Sequence, residues 1–234
     1  MNSGSGATII RSYILLVVGL AVSFTPASSG VYQDTKPKPL TRQLRDAFGD
    51  NHEVVQRTAF VETLLAGKLT KAQLEVHLQQ RALIHEAVDR VLLGADPAQH
   101  LPYGEDQKKL IPLLRANLIS MGSKWPDLAI ASPQTKAMVE AIRKSAAIGP
   151  YYALGVLHVY YGGITHGGRD LGAKIIDTLK VDMSYYLESG GYEEYAKKVD
   201  EIVDPAAQKE MIRGGVEAYK YIIAYNDAPV FKSK

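Results

Sequence analysis

The chain has 234 residues, of which 46% are hydrophobic and 22% charged, a composition that predicts one globular domain with a sizeable core. Its net charge of +2 gives no general basic field, so nucleic acid is not expected as a partner. Cysteine is absent, which excludes a disulfide framework, thiolate metal sites and a cysteine nucleophile and fits either an oxidising or a reducing compartment.

The N-terminal region differs from the rest of the chain. Its uninterrupted apolar stretch runs only from Tyr13 to Phe24, which is short for a membrane span of about 20 residues but typical of a secretory signal. Small residues that a signal peptidase reads follow at Ala27 and Ser29. We therefore predict export through a signal peptide over residues 1–29, with an uncleaved membrane anchor as the alternative. Residues 30–39 are predicted to be a linker.

After the linker, apolar residues recur at helical spacing, and the alternation typical of strands is scarce. A first helix is predicted over 40–65, and Thr70 and Gln73 form a capping-box pattern that opens a second helix. Further helices are predicted over about 107–121, 132–147, 150–179, 193–202 and 205–225. The fold class is therefore all-α, a single bundle of seven to eight helices over 40–226 with a C-terminal tail over 227–234.

Glycines interrupt the predicted helix that follows Pro150. They are Gly162, Gly163, Gly167 and Gly168. Each costs about 1 kcal/mol relative to alanine inside a helix, and His158 and His166 lie on either side of the first pair. A helix bent there would bring its backbone against something large and flat. A planar cofactor is one explanation; a glycine-rich loop or close helix packing is the other.

The other histidines differ in what they suggest. His52 lies on a largely apolar flank of the first helix, with Gln56 one turn later as a partner that can orient its ring, so it is a candidate metal ligand. His77 and His85 are interpreted as mostly solvated, and His100 as a loop residue. The sequence contains no zinc-protease motif, serine-hydrolase elbow or phosphate loop.

Three motifs resemble those of heme oxygenases. The run from Leu44 to His52 (LRDAFGDNH) resembles the family's first-helix signature, which ends in the iron-binding histidine. The turn over 66–73 is similar to the break before the family's second helix. The spacing of Gly163 and Gly167 resembles that of the distal helix, where glycines pack over the heme face. The motifs occur in the family's order along nearly the whole chain after the linker.

The resemblance implies specific roles. His52 would be the proximal iron ligand, and Arg45 would pair with a heme propionate. Gly163, Gly167 and Gly168 would line the distal face. The implied activity is oxidative opening of heme to biliverdin, iron and carbon monoxide, with dioxygen and electrons from an external donor such as a reductase or ferredoxin. Heme would then be both substrate and cofactor.

Two positions depart from the family's pattern. Ile164 stands where many members carry an aspartate that orders distal water, and His166 stands where a small serine is usual. His166 would donate a hydrogen bond to the oxygen ligand, ligate the iron as a second axial ligand, or point outward. A second axial histidine would leave no open position for oxygen, which favours a heme-binding or carrier protein without turnover.

The chain contains 14 Tyr against 4 Phe and 1 Trp, and most of these tyrosines are interpreted as core residues. Tyr161 and Tyr221 are the better candidates for the heme pocket. The propionate-binding residues of the family are matched only loosely, by Tyr192, Tyr195, Lys197 and Lys198. The two lysines are interpreted as part of a solvated face.

A non-heme di-iron oxidase is a third possibility on a helical scaffold of this kind. It needs about six carboxylate and histidine ligands on inward faces. The candidates, which do not give a paired set, are Glu62, Glu86, His158, His166 and Asp170. The predicted function is therefore a heme oxygenase-type monooxygenase, followed by the heme carrier and then by the di-iron oxidase.

Overall fold

The computed structural model describes residues 37–232, and it contains helices but no β-strand within that range. The α-helices are α1 (Leu40–Phe48), α2 (Asn51–Gln56), α3 (Ala59–Leu65), α4 (Lys71–Leu93), α5 (Glu105–Lys108), α6 (Leu110–Ser120), α7 (Pro133–Ser145), α8 (Tyr151–Gly163), α9 (Arg169–Leu179), α10 (Ser184–Leu187), α11 (Tyr192–Asp200) and α12 (Pro205–Asn226). Eight of them have nine residues or more. The all-α prediction is confirmed.

The predicted signal peptide or anchor over 1–29 lies outside the described residues, as does most of the linker. Among the helices of residues 37–232, none combines the length and apolar character that a membrane crossing requires.

The single first helix predicted over 40–65 is wrong, because this stretch forms α1, α2 and α3. Gly49 ends α1 with φ +49°, a backbone conformation that residues other than glycine rarely adopt. Thr58 is extended, with ψ 154°, and separates α2 from α3. Arg45 and His52 therefore lie on different helices.

The predicted start of α4 is confirmed. The Thr70 side chain accepts a hydrogen bond from the Gln73 backbone N–H at 3.2 Å, and the Gln73 amide oxygen accepts one from the Thr70 N–H at 2.9 Å. This reciprocal pair satisfies two of the N–H groups that a helix start leaves unbonded. From there α4 runs through the core and packs against α6, α7 and α8.

His77 and His85 lie on the buried face of α4, so their interpretation as solvated residues is wrong. They are 1% and 4% exposed. His77 stacks on Phe60 with ring centroids 3.8 Å apart, and its Nε2 accepts a hydrogen bond from Arg81 Nε at 2.8 Å. The His85 Nε2 lies 2.8 Å from the Tyr185 hydroxyl. The partners Phe60 and Tyr185 come from other helices, and helical spacing along α4 does not reveal them.

Helices α8 and α12 form the central pair of the bundle and pack backbone to backbone. A Cβ atom at Gly155 would overlap the carbonyl group of Met211, and one at Gly214 would overlap the carbonyl group of Tyr152. Only glycine permits this approach from both sides. The rigid pair provides the surface on which the other elements of the site are positioned.

The folded part continues beyond residue 226, where the tail was expected to begin. Residues Pro229–Phe231 form a 3₁₀ turn, and the Phe231 side chain is fully buried. Its ring meets Phe60 edge to face at 5.2 Å, and its carbonyl accepts a hydrogen bond from the Thr63 hydroxyl at 2.8 Å. One buried aromatic after a polar turn is too short a pattern to predict from periodicity.

Candidate functional site

The interruption predicted from the glycines is a π-helical segment, Ile164–Gly168, between α8 and α9. Two side chains bond back to carbonyl oxygens of the preceding turn. The Thr165 hydroxyl donates to the Tyr161 carbonyl at 2.8 Å, and His166 Nδ1 lies 2.9 Å from the Gly162 carbonyl oxygen. Such back-bonding accompanies helix bending, and π segments are frequent at functional sites. We call this segment the bend.

One side of the bend carries no side chains and borders open space. Within residues 37–232, nothing lies within 4 Å of a Cβ atom placed at Gly163 or Gly167, and both residues are exposed. Gly163 has an ordinary helical backbone, with φ −61° and ψ −42°. Neither packing nor backbone conformation requires glycine here. We call the surface formed by Gly163 and Gly167 the open face.

Gly168, which was expected to line the same face, has a different reason to be glycine. A Cβ atom there would lie 3.1 Å from Tyr186 Cδ1. A Cβ atom placed at Gly172, one turn later, would lie 2.7 Å from the Cβ of Tyr186. These two glycines therefore let α10 pack against α9 and the bend. Ile164 is 1% exposed and presents an apolar side chain to the core.

Tyr192, at the start of α11, connects the bend to α1. Its ring lies 4.4 Å from the His166 ring, edge on, and 3.3 Å from a Cβ placed at Gly162. Its hydroxyl lies 3.5 Å from His158 Nε2. Burial raises the pKa of Tyr192, and the nearby Arg45 guanidinium opposes that rise. Its resemblance to the family's propionate-binding residues is only loose, yet Tyr192 contacts the rings of both His158 and His166.

Phe48 positions the end of α1 against the central helix pair. Its ring lies 4.9 Å from Tyr219 on α12 and 6.1 Å from His158 on α8, with distances measured between centroids. His158 precedes the open face by five residues, roughly 7.5 Å along a helix. His52 follows Phe48 by four residues and is exposed. Helices α1 and α2 both pack on α12, and Phe48 places the end of α1 beside the stretch of α8 that leads into the bend.

His52 and Arg45 both have groups available for a ligand. The Gln56 amide lies 3.5 Å from His52 Nδ1. The facing atom is the amide nitrogen, a donor, so Nδ1 accepts in this arrangement. A flip of the amide would present its oxygen to Nδ1, and Nε2 would then keep the lone pair that a metal-binding imidazole needs. Arg45 is exposed and forms no ion pair with the described residues.

The two tyrosines expected in the pocket lie in the core. Tyr161 is fully buried, and its hydroxyl donates to the Gly190 carbonyl. Tyr221 stacks on Tyr225, and its hydroxyl lies 3.0 Å from the Thr135 hydroxyl. Burial raises the pKa of both phenols to about 12, so both are neutral. Both hydroxyls are thus already hydrogen-bonded to groups within the core.

The core of the site also holds polar atoms without a protein partner. His158 is 5% exposed, and its Nδ1 has no hydrogen-bond partner among residues 37–232. The same holds for the hydroxyl of Tyr195, whose ring centroid lies 5.7 Å away. Burial lowers the pKa of His158 to about 4, so the imidazole is neutral at pH 7. Unsatisfied buried groups of this kind are rare in cores and often mark functional regions.

A second polar cluster, centred on Arg81, was not predicted. Its guanidinium lies over the rings of Tyr160 and Tyr186, at 5.2 and 5.7 Å from their centroids. Its Nη1 lies 3.4 Å from the Tyr185 hydroxyl, and no carboxylate of the described residues forms an ion pair with it. The sequence did hold a signal, because Arg81 falls three residues after the buried Leu78 on the same helix face.

The part of the chain that the structure describes contains no group of three or more histidine, aspartate or glutamate side chains that could hold a metal ion. The predicted di-iron alternative therefore gains no support from the geometry. Among residues 37–232 the site offers the exposed imidazole of His52, the guanidinium of Arg45 without an ion pair, and a side-chain-free stretch of backbone.

Solved structures with the same fold include several heme oxygenases. That of Leptospira interrogans has a TM-score of 0.66 and 17% identity, covering 81% of this chain and 99% of that one. Heme oxygenase-2 of Synechocystis, solved in complex with heme and NO, has a TM-score of 0.65 and 17% identity, covering 81% and 84%. A TenA homologue from Pseudomonas syringae pv. tomato has a TM-score of 0.59 and 11% identity, covering 87% and 98%. At these identities the likeness shows the fold alone.

No curated protein matches the sequence. The sequence model of the family described as heme oxygenase, in contrast, matches residues 38–223, which include α1 to α11 and most of α12. The chain belongs to the heme oxygenase family.

Proposed function

We propose that this protein binds heme between His52 and the open face, and that it opens the ring to biliverdin, iron and carbon monoxide. Dioxygen is the oxidant, and an external reductase or ferredoxin supplies the electrons. The observation that carries the proposal is the open face itself. Gly163 and Gly167 have neither a packing partner nor a strained backbone to explain them, and the chain belongs to a family with a member solved with heme.

The residues present fit heme in three respects. The open face provides a flat surface on which a planar ring can approach the backbone. The exposed imidazole of His52 has the Gln56 amide beside Nδ1, and this amide would orient the ring as an iron ligand once its oxygen faces that nitrogen. The guanidinium of Arg45, which forms no ion pair with any described residue, matches a propionate carboxylate. When bound, heme supplies the iron that activates dioxygen.

Each residue has a limited task. His52 would hold the iron on one side, and Arg45 would fix the rotation of the ring through a carboxylate. Thr165 donates its hydroxyl hydrogen to a backbone carbonyl, and Ile164 is apolar and buried. At the bend, His166 is therefore the side chain with a nitrogen that no described residue occupies.

The second candidate function is heme binding without turnover. It is favoured by Ile164, because a buried aliphatic side chain cannot order the distal water that many family members hold with an aspartate. It is favoured also by His166, whose ring nitrogen would compete with dioxygen. Both functions use the same site and differ in what happens after reduction.

The test uses the full-length protein mixed with hemin, followed by ascorbate. A complex at one hemin per chain, with a Soret band that disappears as a green pigment forms, supports ring opening. A Soret band that persists supports the carrier, and the absence of a complex contradicts both. His52→Ala should abolish the normal spectrum, whereas His100→Ala, on an exposed loop, should not. An unchanged spectrum in His52→Ala would refute the ligand assignment.

We further propose export or membrane association through residues 1–29, which lie outside the described residues. Mass spectrometry of the protein isolated from its native cells tests this. A mature N-terminus shortly after Ala27 or Ser29 supports a cleaved signal. An intact N-terminus in the membrane fraction supports the anchor, and an intact N-terminus in the soluble cell fraction contradicts both.

A further inference from the structure

The hydrogen bonds of His166 determine which of its nitrogens carries the hydrogen. Nδ1 lies 2.9 Å from the Gly162 carbonyl oxygen, which can only accept. Nδ1 also lies 3.3 Å from the Thr165 hydroxyl, whose own hydrogen goes to the Tyr161 carbonyl at 2.8 Å, so this oxygen accepts as well. In the neutral imidazole, Nδ1 is therefore the protonated nitrogen, and Nε2 carries a lone pair and no hydrogen.

The ring of His166 is also held in place. It packs edge to face on Tyr192, with an interplanar angle of 87°, and its Nδ1 bond fixes the rotation about its own side chain. Side chains on helices lean over the preceding turn, which here begins at Gly162. The space above Gly163 remains clear for 4 Å. The result is an oriented lone pair beside the open face, on an exposed residue.

We propose that His166 Nε2 would be a second ligand of the ferric heme iron, opposite His52, and that it would compete with external ligands for that position. This inference rests on the proposed heme site. Donation of the lone pair forms the Nε2–iron bond without any proton transfer, because Nε2 carries no hydrogen. The same bond breaks when an external ligand takes its place. A neutral His166 cannot instead donate a hydrogen bond from Nε2.

The competition has a measurable size. If His166 occupies the iron in about nine of ten molecules, the apparent affinity for an external ligand falls about tenfold, in proportion to the fraction that is open. Removing the imidazole should raise the apparent affinity for the external ligand about tenfold. The bond from His52 to the iron and the ratio of one hemin per chain should not change. His166 thus would set how readily the ferric site admits an external ligand, without being needed to hold the heme.

The experiment is electron paramagnetic resonance and absorption of the hemin complex of full-length protein, with azide as the external ligand. The wild type and the His100→Ala control should be low-spin and six-coordinate. His166→Ala should be high-spin, with one hemin per chain and about tenfold tighter azide binding. A wild type that is high-spin and loses its spectrum in His52→Ala would overturn this inference alone, as would a low-spin His166→Ala. A wild type that forms no complex would overturn the proposed function itself.

Discussion

Replacing Gly163 by alanine separates the stability of the bend from its use as a binding surface. The residue has helical backbone angles, and an added Cβ would meet nothing within 4 Å. Alanine is favoured over glycine in a helix by about 1 kcal/mol. The ligand-free variant should therefore be more stable than wild type by up to about 1 kcal/mol, a rise in Tm of about 2–4 °C for a chain of this size.

Hemin binding should change in the opposite direction. A methyl group on the open face would stand between the backbone and the ring, and overpacking of this kind costs about 1–3 kcal/mol. That range corresponds to a loss of affinity of about fivefold to about 150-fold. Gly155→Ala is the matched control on α8, because its Cβ would overlap the Met211 carbonyl. It should destabilise the protein by about 3 kcal/mol or more.

The assay is urea unfolding of the ligand-free variants together with hemin titration followed in the Soret region. A Gly163→Ala protein that is less stable than wild type would show that the face is not open. A variant that gains stability but binds hemin as tightly as wild type would show that heme, if bound, lies elsewhere. Either result would contradict an open heme-binding surface at Gly163.

Three further predictions follow from individual residues. Arg45→Glu should weaken hemin binding about fivefold but leave binding of the iron porphyrin dimethyl ester unchanged, because the ester has no carboxylate to pair. An equal loss of affinity for both ligands would contradict the pairing of Arg45 with a propionate. Burial lowers the pKa of His158 to about 4 from 6.5. The stability that the neutral imidazole contributes is therefore complete above about pH 6.5 and is lost toward pH 4, at about 1.4 kcal/mol per pH unit. Urea unfolding at pH 7 and pH 5 should show a smaller loss of stability in His158→Leu than in wild type, and an equal loss would contradict a buried, neutral His158. Arg81→Met should leave the free energy of unfolding unchanged or raise it by up to about 2 kcal/mol, because no carboxylate among residues 37–232 pairs with the guanidinium. A decrease of more than about 2 kcal/mol in the free energy of unfolding would show that the contacts of Arg81 with tyrosine and histidine are net stabilising.

The features that sequence predicted correctly are those set by local chemistry. Helical spacing gave the fold class, and the pair Thr70 and Gln73 gave the start of α4, because a capping box needs only residues three positions apart. The glycines indicated an interruption between His158 and Arg169, which the structure shows as a π segment.

The features that sequence missed depend on contacts between distant segments. His77 is buried against the ring of Phe60 from α3, and His85 Nε2 lies at hydrogen-bond distance from the hydroxyl of Tyr185, 100 residues away along the chain. Gly168 resembled the open glycines in sequence, yet Tyr186 from α10 packs against it. Side chains near in sequence do not report which neighbour fills the space beside them, so the two kinds of glycine could be told apart only in three dimensions.

The central proposal is that heme lies against the side-chain-free backbone at Gly163 and Gly167. A crystal structure of the full-length protein with hemin tests it most directly. We expect the iron within bonding distance of His52 Nε2 and the porphyrin plane lying over Gly163 and Gly167. A porphyrin bound at another surface, or an iron held without His52, would contradict the account.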